Sequence, residues 1–246
     1  MRQISTEGII LRKNNFGEHD QFVTIFSPHL GKIDAVAKGA RKIDSNYTGH
    51  LEILNICNFQ LYQNNQYFTI TQCQSRQSYK QIRADFEKSV MAILLAEIFH
   101  KTTLGHEHNQ HLFNLVEESL NHLCESKNHA LCLESFKIKL LGRLGVLPEV
   151  ENCAVCRKRW EAEETVLIGN DGHIACTDCR LPNYTYRILP FNIIKLINFI
   201  GLSGFNDIEA VTVRAEEYNT LKRFSDLLLK NFIGREIVSE KILNSI

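Results

Sequence analysis

Short runs rich in apolar, β-branched and aromatic residues recur along the first 80 residues of the chain. In 21–27, for example, a strand would place Phe22, Thr24 and Phe26 on one face and Val23 and Ile25 on the other. Alternation with a period of two predicts short strands, and the turn residues between the runs predict tight connections. The predicted strands span residues 4–13, 21–27, 33–37, 51–62 and 66–72. Five short strands with little helix between them favour a small closed barrel, and the OB-fold is a common barrel of this strand number.

From about residue 78 the apolar positions recur at intervals of three and four. This spacing predicts amphipathic helices whose apolar faces pack into a core. The predicted helical stripes cover residues 86–98, 112–123, 131–144, 190–200 and 215–233. The third stripe is followed by Gly145 and Pro148, which is typical of a helix C-terminus. The sequence therefore predicts an α+β protein in which a five-stranded OB-fold β-barrel is followed by an α-helical domain.

Four of the eight cysteines form two Cys-x-x-Cys pairs. Nineteen residues separate Cys153 and Cys156 from Cys176 and Cys179. Two such pairs supply the tetrahedral thiolate set of a zinc ribbon, and the interval lies in the range of known four-cysteine zinc sites. A thioredoxin-like redox centre is the alternative, but it needs only one pair, at a βα junction. We therefore expect one structural Zn²⁺, held in an inserted ribbon.

The residues around the cysteine pairs add a complication. Arg157 and Arg180 follow the second cysteine of each pair, where zinc knuckles often carry glycine. Both turns must therefore tolerate a side chain.

The remaining cysteines lie singly in the chain and are expected to be free thiols, mostly buried; they are Cys57, Cys73, Cys124 and Cys132.

The change of pattern and the position of the cysteines divide the chain into four segments. We expect the OB-fold domain at 1–80 and the first part of the helical domain at 81–152. The zinc ribbon insert is expected at 153–189, and the C-terminal part of the helical domain at 190–246.

Composition and charge narrow the class of protein. The chain has 246 residues, of which 44% are hydrophobic and 23% charged, and its net charge is zero. This composition excludes wholesale disorder and a coiled-coil rod. No apolar run approaches the roughly 20 residues of a membrane span, and the N-terminus lacks an apolar signal segment, so we expect a cytoplasmic protein. Residues 1–80 carry nine basic and six acidic residues, so a site for a polyanion is expected there.

The densest basic segment follows the third predicted strand. Lys38, Arg41 and Lys42 surround a Gly-Ala pair, and they are our candidate phosphate contacts because Arg binds phosphate bidentately and Lys acts as a point charge. On pattern alone, an ordinary charged turn is the alternative. No phosphate-binding glycine loop, nucleophile elbow or metalloprotease spacing is present in the sequence, so we expect no enzymatic activity. Further candidate phosphate contacts are Arg12, Lys13 and Lys32.

Five segments carry a recognisable combination of residues. They are EGIILR at 7–12, GEHD at 17–20, AKGARK at 37–42, FKIKLLGRLGVLP at 136–148, and Gly234-Arg235 with Ser239. In this order they resemble the bacterial RecO family of DNA-repair and recombination mediators. The resemblance implies an OB-fold followed by a helical domain with a zinc ribbon. One departure is Gln21, where the family usually has Arg, and this change would remove one phosphate contact.

The same resemblance implies binding to single- and double-stranded DNA, annealing of complementary strands, and partnership with RecR and with single-stranded DNA-binding protein. We therefore expect a non-enzymatic mediator of DNA repair and homologous recombination that helps load a recombinase onto DNA coated by single-stranded DNA-binding protein. It is expected in the cytoplasm at the nucleoid, with no membrane and no small-molecule substrate. The alternative is a zinc-ribbon and OB-fold interaction module that binds RNA or a protein partner in transcription or translation.

The helical domain is the expected site for a protein partner. The resemblance implies that this partner is the acidic, apolar-ended tail of single-stranded DNA-binding protein. A groove between helices with an apolar floor and a basic rim would suit such a tail. Candidate rim residues, all on the predicted helix 131–144, are Lys137, Lys139 and Arg143.

Overall fold

The computed structural model describes residues 2–63, 67–105, 108–161, 164–234, 237 and 239. Within these ranges the chain forms eight strands and seven α-helices. The strands are β1 (Arg2–Phe16), β2 (Asp20–Ser27), β3 (Gly31–Ala37), β4 (Ile56–Gln63), β5 (Phe68–Gln77), β6 (Val166–Gly169), β7 (Ile174–Cys176) and β8 (Tyr186–Leu189). The helices are α1 (Lys80–Ala84), α2 (Phe86–Thr102), α3 (Gln110–Glu125), α4 (His129–Arg143), α5 (Phe191–Leu202), α6 (Phe205–Glu209) and α7 (Ala215–Ile233).

The first five strands close into a barrel in the order β1-β2-β3-β5-β4. β1 is 15 residues long, and it pairs with β4 through its first half and with β2 through its second half. β3 and β5 run parallel, with Ala35 opposite Phe68 and Ala37 opposite Ile70, and the other barrel pairs are antiparallel. This OB-like barrel, followed by helices, confirms the predicted α+β fold class.

Apolar side chains that point inward fill the barrel. Because successive side chains of a strand point to opposite faces, every second residue of β2 and β4 enters the core, and Val23, Ile25, Phe59 and Leu61 are buried there. α2 covers part of the outside of the barrel. There the ring of Phe26 contacts that of Phe99 on α2 edge-to-face, with centroids 4.8 Å apart. The barrel thus has a core of its own and a supporting helix.

The fourth strand begins later than the sequence predicts. The predicted strand 51–62 starts at Ile56 in the structure, and residues 38–55 form a long loop. The side-chain amide of Asn55 donates to the carbonyls of Gly49 and His50 at 3.1 and 2.8 Å. The hydroxyl of Tyr47 donates to the carbonyl of Ile70 at 2.8 Å. The amide of Asn55 therefore braces the loop internally, and the hydroxyl of Tyr47 holds the loop against β5.

The chain separates into two compact units. One comprises Met1–Cys124 with Ile237–Ile246, and the other comprises Glu125–Glu236. The barrel, α1, α2 and most of α3 therefore belong to the first unit. The four predicted segments, with boundaries at residues 80, 152 and 189, stay a prediction. Among the helices of the described ranges, none combines the length and the apolar character that a membrane crossing requires.

A buried ion pair joins two helices of the second unit. Lys137 on α4 is 2% exposed, and its ammonium lies 2.8 Å from carboxylate oxygens of both Glu134 and Asp226. The hydroxyl of Ser225 on α7 also donates to Glu134, at 2.5 Å. The prediction that Lys137 lies on the rim of a groove is therefore wrong, because this side chain is enclosed between α4 and α7.

The cysteine-rich segment folds as a small sheet. β6 pairs with β7 on one side and with β8 on the other, all antiparallel. β6 and β7, joined by the turn at 169–172, form a hairpin, and β8 adds a third strand that the sequence pattern did not predict. A short 3₁₀ turn at Thr177–Cys179 follows β7 and carries the last cysteine. The cysteine-rich segment therefore forms a three-stranded sheet, with the last cysteine on the turn that follows β7.

Candidate functional site

Two segments that lie apart in the sequence, 17–20 and 37–42, meet at one end of the barrel. The backbone N–H of Gly39 donates to Asp20 Oδ1 at 2.7 Å, and that of Arg41 donates to the carbonyl of His19 at 2.9 Å. Gly39 has a φ of 68°, a left-handed conformation that glycine adopts without strain. The turn between β1 and β2 therefore fixes the path of the basic segment.

Arg41 also takes part in this arrangement. Its Nη1 donates to the carbonyl of Glu18 at 3.0 Å and lies 3.5 Å from that of Gly17. A guanidinium has five N–H donors, so others remain for a phosphate, and the side chain is exposed. Arg41 therefore positions the basic segment, and it is also a candidate phosphate contact.

Lys38 and Lys42 are the cations that this scaffold presents to solvent. Both are exposed, and both line a cleft of about 820 Å³ between the 38–50 loop and the outer surface of β4 and β5. Within the described part of the chain, neither ammonium forms an ion pair. An unpaired, solvent-facing ammonium can neutralise a phosphate without first breaking a salt bridge.

Lys32 is placed differently from the prediction. Its half-buried ammonium donates to the carbonyl of His100 at 2.7 Å and to that of Thr103, both at the C-terminal end of α2. Burial lowers the pKa of Lys32, opposed by the nearby carboxylate of Asp34. A cation at the negative end of a helix is favourable, so Lys32 anchors α2 to the barrel. The prediction that it contacts phosphate is therefore corrected.

The two remaining predicted cations of the barrel lie on β1. The ammonium of Lys13 is 2.6 Å from a carboxylate oxygen of Glu52, which neutralises it. Lys13 is for this reason no longer a candidate phosphate contact. Arg12 is exposed and stays one.

The four predicted ligand cysteines come together at one end of the ribbon. The Sγ atoms of Cys153, Cys156, Cys176 and Cys179 all lie within 4.8 Å of one another. A tetrahedral Zn²⁺ with Zn–S bonds of about 2.3 Å requires sulfurs about 3.8 Å apart, and those of Cys156 and Cys176 are 3.9 Å apart. The four cysteines are therefore close enough to hold one metal ion.

The protonation of the thiols also fits a metal site. Burial acts to raise the pKa of Cys153, but hydrogen bonds from the backbone N–H groups of Cys156 and Cys176 lower it to about 6. Hydrogen bonds with Cys176 and Cys156 raise the pKa of Cys179 to about 12. The pKa values of Cys153 and Cys179 are therefore shifted in opposite directions without a metal, whereas a divalent cation would stabilise all four cysteines as thiolates.

The two arginines that follow the cysteine pairs differ in backbone conformation. Arg157 has a φ of 62°, in the left-handed region, which costs a non-glycine residue about 1–2 kcal/mol. Arg180 has a φ of −63° and needs no such conformation. The absence of glycine therefore strains only the first knuckle.

A groove of about 310 Å³ lies between α4 and α5 in the second unit. Ile138 and Ile197 are among its apolar lining residues, and Lys139 and Arg143 line it as well. Lys139 is half-buried, donates to the carbonyl of Ser203 and lies 5.5 Å from the ring centroid of Phe205. The structure thus places two of the three predicted rim residues, but not Lys137, at an apolar groove.

Known proteins match the chain over almost all of its length. Residues 1–79 match the family described as Recombination protein O N terminal, and residues 83–241 match Recombination protein O C terminal. The chain belongs to the RecO family. The resemblance inferred from the sequence motifs is therefore confirmed, and so is membership of a family of DNA repair proteins.

RecO proteins of several bacteria show the extent of the similarity. The chain is 31% identical to the DNA repair protein RecO of Dehalococcoides mccartyi over 217 residues, 88% of this chain and 85% of that protein. It is 26% identical to the DNA repair protein RecO of Thermoanaerobacter sp. over 248 residues, 100% of this chain and 99% of that protein. The similarity thus includes both the barrel and the helical region.

The sequence pattern did not indicate one part of the candidate site. The large cleft is lined by side-chain amides of β4 and β5, among them Asn58, Gln72 and Gln74. Their alternate spacing is the only signal in the sequence, and it is also the pattern of any solvated strand face. The overhanging loop, which the pattern does not predict, turns this face into a cleft.

Proposed function

We propose that this RecO-family chain is a non-enzymatic mediator of DNA repair and homologous recombination. It binds single- and double-stranded DNA, anneals complementary strands and helps load a recombinase onto DNA coated by single-stranded DNA-binding protein. RecR and the tail of single-stranded DNA-binding protein are its proposed partners, and the cytoplasm at the nucleoid is its proposed location. One structural Zn²⁺ holds the ribbon through Cys153, Cys156, Cys176 and Cys179. Membership of a family of DNA repair proteins supports the role in repair, and the four clustered thiols support the metal site.

The observation that carries the DNA-binding part is the position of Lys38 and Lys42. Both ammonium groups are exposed, both border the large cleft, and the 17–20 turn holds the segment that bears them. Binding through phosphates is independent of base sequence and releases counterions, so it weakens steeply with salt. We therefore propose that these lysines neutralise backbone phosphates, with Arg41 and Arg12 as further contacts.

The salt dependence of DNA affinity tests this proposal. Lys38→Ala with Lys42→Ala is expected to weaken binding to every sequence alike. It is also expected to reduce the slope of log affinity against log salt by about 0.7 for each phosphate of a single strand that is no longer neutralised, or about 0.9 for duplex. Titration of labelled oligonucleotides at several salt concentrations measures both quantities.

The control for this titration removes the same charge elsewhere. Lys80 and Lys195 are exposed and lie outside the cleft, so Lys80→Ala with Lys195→Ala should leave the slope unchanged. An unchanged slope in the Lys38 and Lys42 variant would place the DNA path on another surface. A loss of affinity confined to particular sequences would indicate base reading in place of phosphate neutralisation.

We propose that the groove between α4 and α5 receives the tail of single-stranded DNA-binding protein. Its apolar lining suits the apolar end of such a tail, and Lys139 and Arg143 suit its acidic residues. Lys139→Glu with Arg143→Glu is expected to weaken binding of a fluorescent tail peptide at least tenfold, the equivalent of about 1.4 kcal/mol. Equal affinity of the variant and the wild type would exclude this groove, and a peptide that does not bind the wild type would exclude direct recruitment by the tail.

A further inference from the structure

Besides Lys38 and Lys42, several other polar side chains line the large cleft beside the barrel. Its volume of about 820 Å³ lies in the range of sites for small ligands. Its lining includes the half-buried Tyr47, whose hydroxyl is already engaged with the carbonyl of Ile70. The buried thiol of Cys73 also lines it, and a hydrogen bond to Cys57 and burial raise the pKa of that thiol. The thiol is therefore uncharged at neutral pH.

Four side-chain amides stand in pairs on the strand surface of the cleft. In the register of β4 and β5, Asn58 lies opposite Gln74 and Gln60 lies opposite Gln72. Residues directly opposite each other in a sheet have Cβ atoms about 5 Å apart, so the amides form a compact patch. Gln60 is half-buried and donates to the hydroxyl of Ser5 at 3.1 Å.

The other three amides have no hydrogen-bond partner among the described residues. Asn58, Gln72 and Gln74 are exposed, and no described residue forms a hydrogen bond with their side chains. Each amide offers two N–H donors and a carbonyl acceptor at the end of a rotatable side chain. A donor next to an acceptor can pair with the edge of a nucleobase, and rotation of the amide lets it adapt to different bases.

The net charge of the cleft indicates what kind of molecule would carry these bases. Lys38 and Lys42 line the cleft with the exposed carboxylate of Asp44, which leaves one excess positive charge. Because the two lysines and the amides line the same cleft, a strand whose phosphates lie on the lysines can present its bases to the amides. The Watson–Crick edges of a duplex are occupied by pairing, whereas those of a single strand are free to bind protein amides.

We propose that this cleft binds the unpaired bases of single-stranded DNA through the amides of Asn58, Gln72 and Gln74. This inference rests on the proposed function, because it takes Lys38 and Lys42 as the phosphate contacts of the same strand. It adds a preference for single strands over duplex that does not depend on base sequence. Unpaired bases held by rotatable amides can be released to a complementary strand, as annealing requires.

Substitution of the three amides tests this inference. Asn58→Ala with Gln72→Ala and Gln74→Ala is expected to weaken binding to a single strand of mixed sequence about tenfold, equivalent to about 1.4 kcal/mol. Affinity for the duplex of that sequence, and for an abasic strand of that length, should not change. The salt slope should also stay as in the wild type, because no phosphate contact is removed.

A matched control replaces three exposed amides of the barrel outside the cleft, at Gln3, Asn15 and Gln77. This control should bind single strands as the wild type does. Equal single-strand affinity of the cleft variant and the control would overturn the inference, and so would a wild type that binds the abasic strand as tightly as the normal one. The Lys38 and Lys42 variant, titrated in parallel, reports separately on the proposed function, because only that variant is expected to change the salt slope.

Discussion

Removal of the proposed zinc from the four-cysteine cluster is expected to unfold the ribbon while the barrel stays folded. The ribbon sheet has three strands of three or four residues, too little for a stable core of its own. In such a segment the binding free energy of zinc, about 10–16 kcal/mol in zinc-finger peptides, becomes folding free energy. Protein purified without chelator should contain close to one zinc per chain. After chelation, hydrogen exchange should accelerate across 153–189 and stay slow in β1–β5.

A single ligand change should have a similar effect. Cys176→Ser removes a thiolate from the cluster, so we expect loss of the metal and lower solubility. Cys124→Ser, the same substitution at a half-buried cysteine outside the cluster, is the matched control and should keep the metal. Protein without metal, or a disulfide within the cluster under reducing conditions, would contradict the zinc proposal.

Lys137→Met is expected to lower the free energy of unfolding by about 3–5 kcal/mol, because it removes one partner of a buried ion pair. Glu134 is 0% exposed, so the substitution leaves its carboxylate buried without the neighbouring ammonium, while the hydroxyl of Ser225 still donates to it at 2.5 Å. Although burial opposes it, the carboxylates of Glu134 and Asp226 raise the pKa of Lys137 above its usual range. The raised pKa contributes stability below the unfolded value of about 10.4, and this contribution is lost as the pH rises further, so it is fully present at neutral pH.

Denaturant unfolding of two further variants tests the origin of this destabilisation. Lys139→Met makes the same substitution at a half-buried position of the same helix and should cost about 1 kcal/mol or less. Lys137→Met combined with Glu134→Met removes both charges and should recover much of the stability, since apolar replacement of a buried pair is often neutral. A Lys137→Met protein as stable as the wild type would contradict the buried-pair interpretation.

The fold could be predicted where the sequence pattern is local. Alternation in β2 and β3 and the apolar stripes of α4 and α7 are complete within single elements, so their spans agree closely with the structure. Leu51 and Leu54 extend the apparent alternation of β4 towards its N-terminus, yet both are buried as anchors of the 38–55 loop. β8 was missed because it has only four residues and only Leu189 is buried.

The site was harder to predict because it depends on contacts between distant residues. Lys38 and Lys42 could be selected from charge alone, and the cysteines from their spacing. Lys32 binds carbonyls 68 and 71 residues further along the chain, and Lys137 pairs with a carboxylate 89 residues away. No local sequence pattern distinguishes a lysine that forms such long-range hydrogen bonds or ion pairs from one that is exposed to solvent. The amides of the cleft are a similar case, since the loop that encloses them is positioned by Asn55 and Tyr47.

Annealing of complementary DNA strands without ATP tests the central claim most directly. The wild type should accelerate annealing of two labelled oligonucleotides, and the Lys38→Ala, Lys42→Ala variant should be slower, while the Lys80→Ala, Lys195→Ala control matches the wild type. Annealing no faster than the protein-free rate would contradict a mediator that anneals DNA, as would acceleration confined to RNA strands.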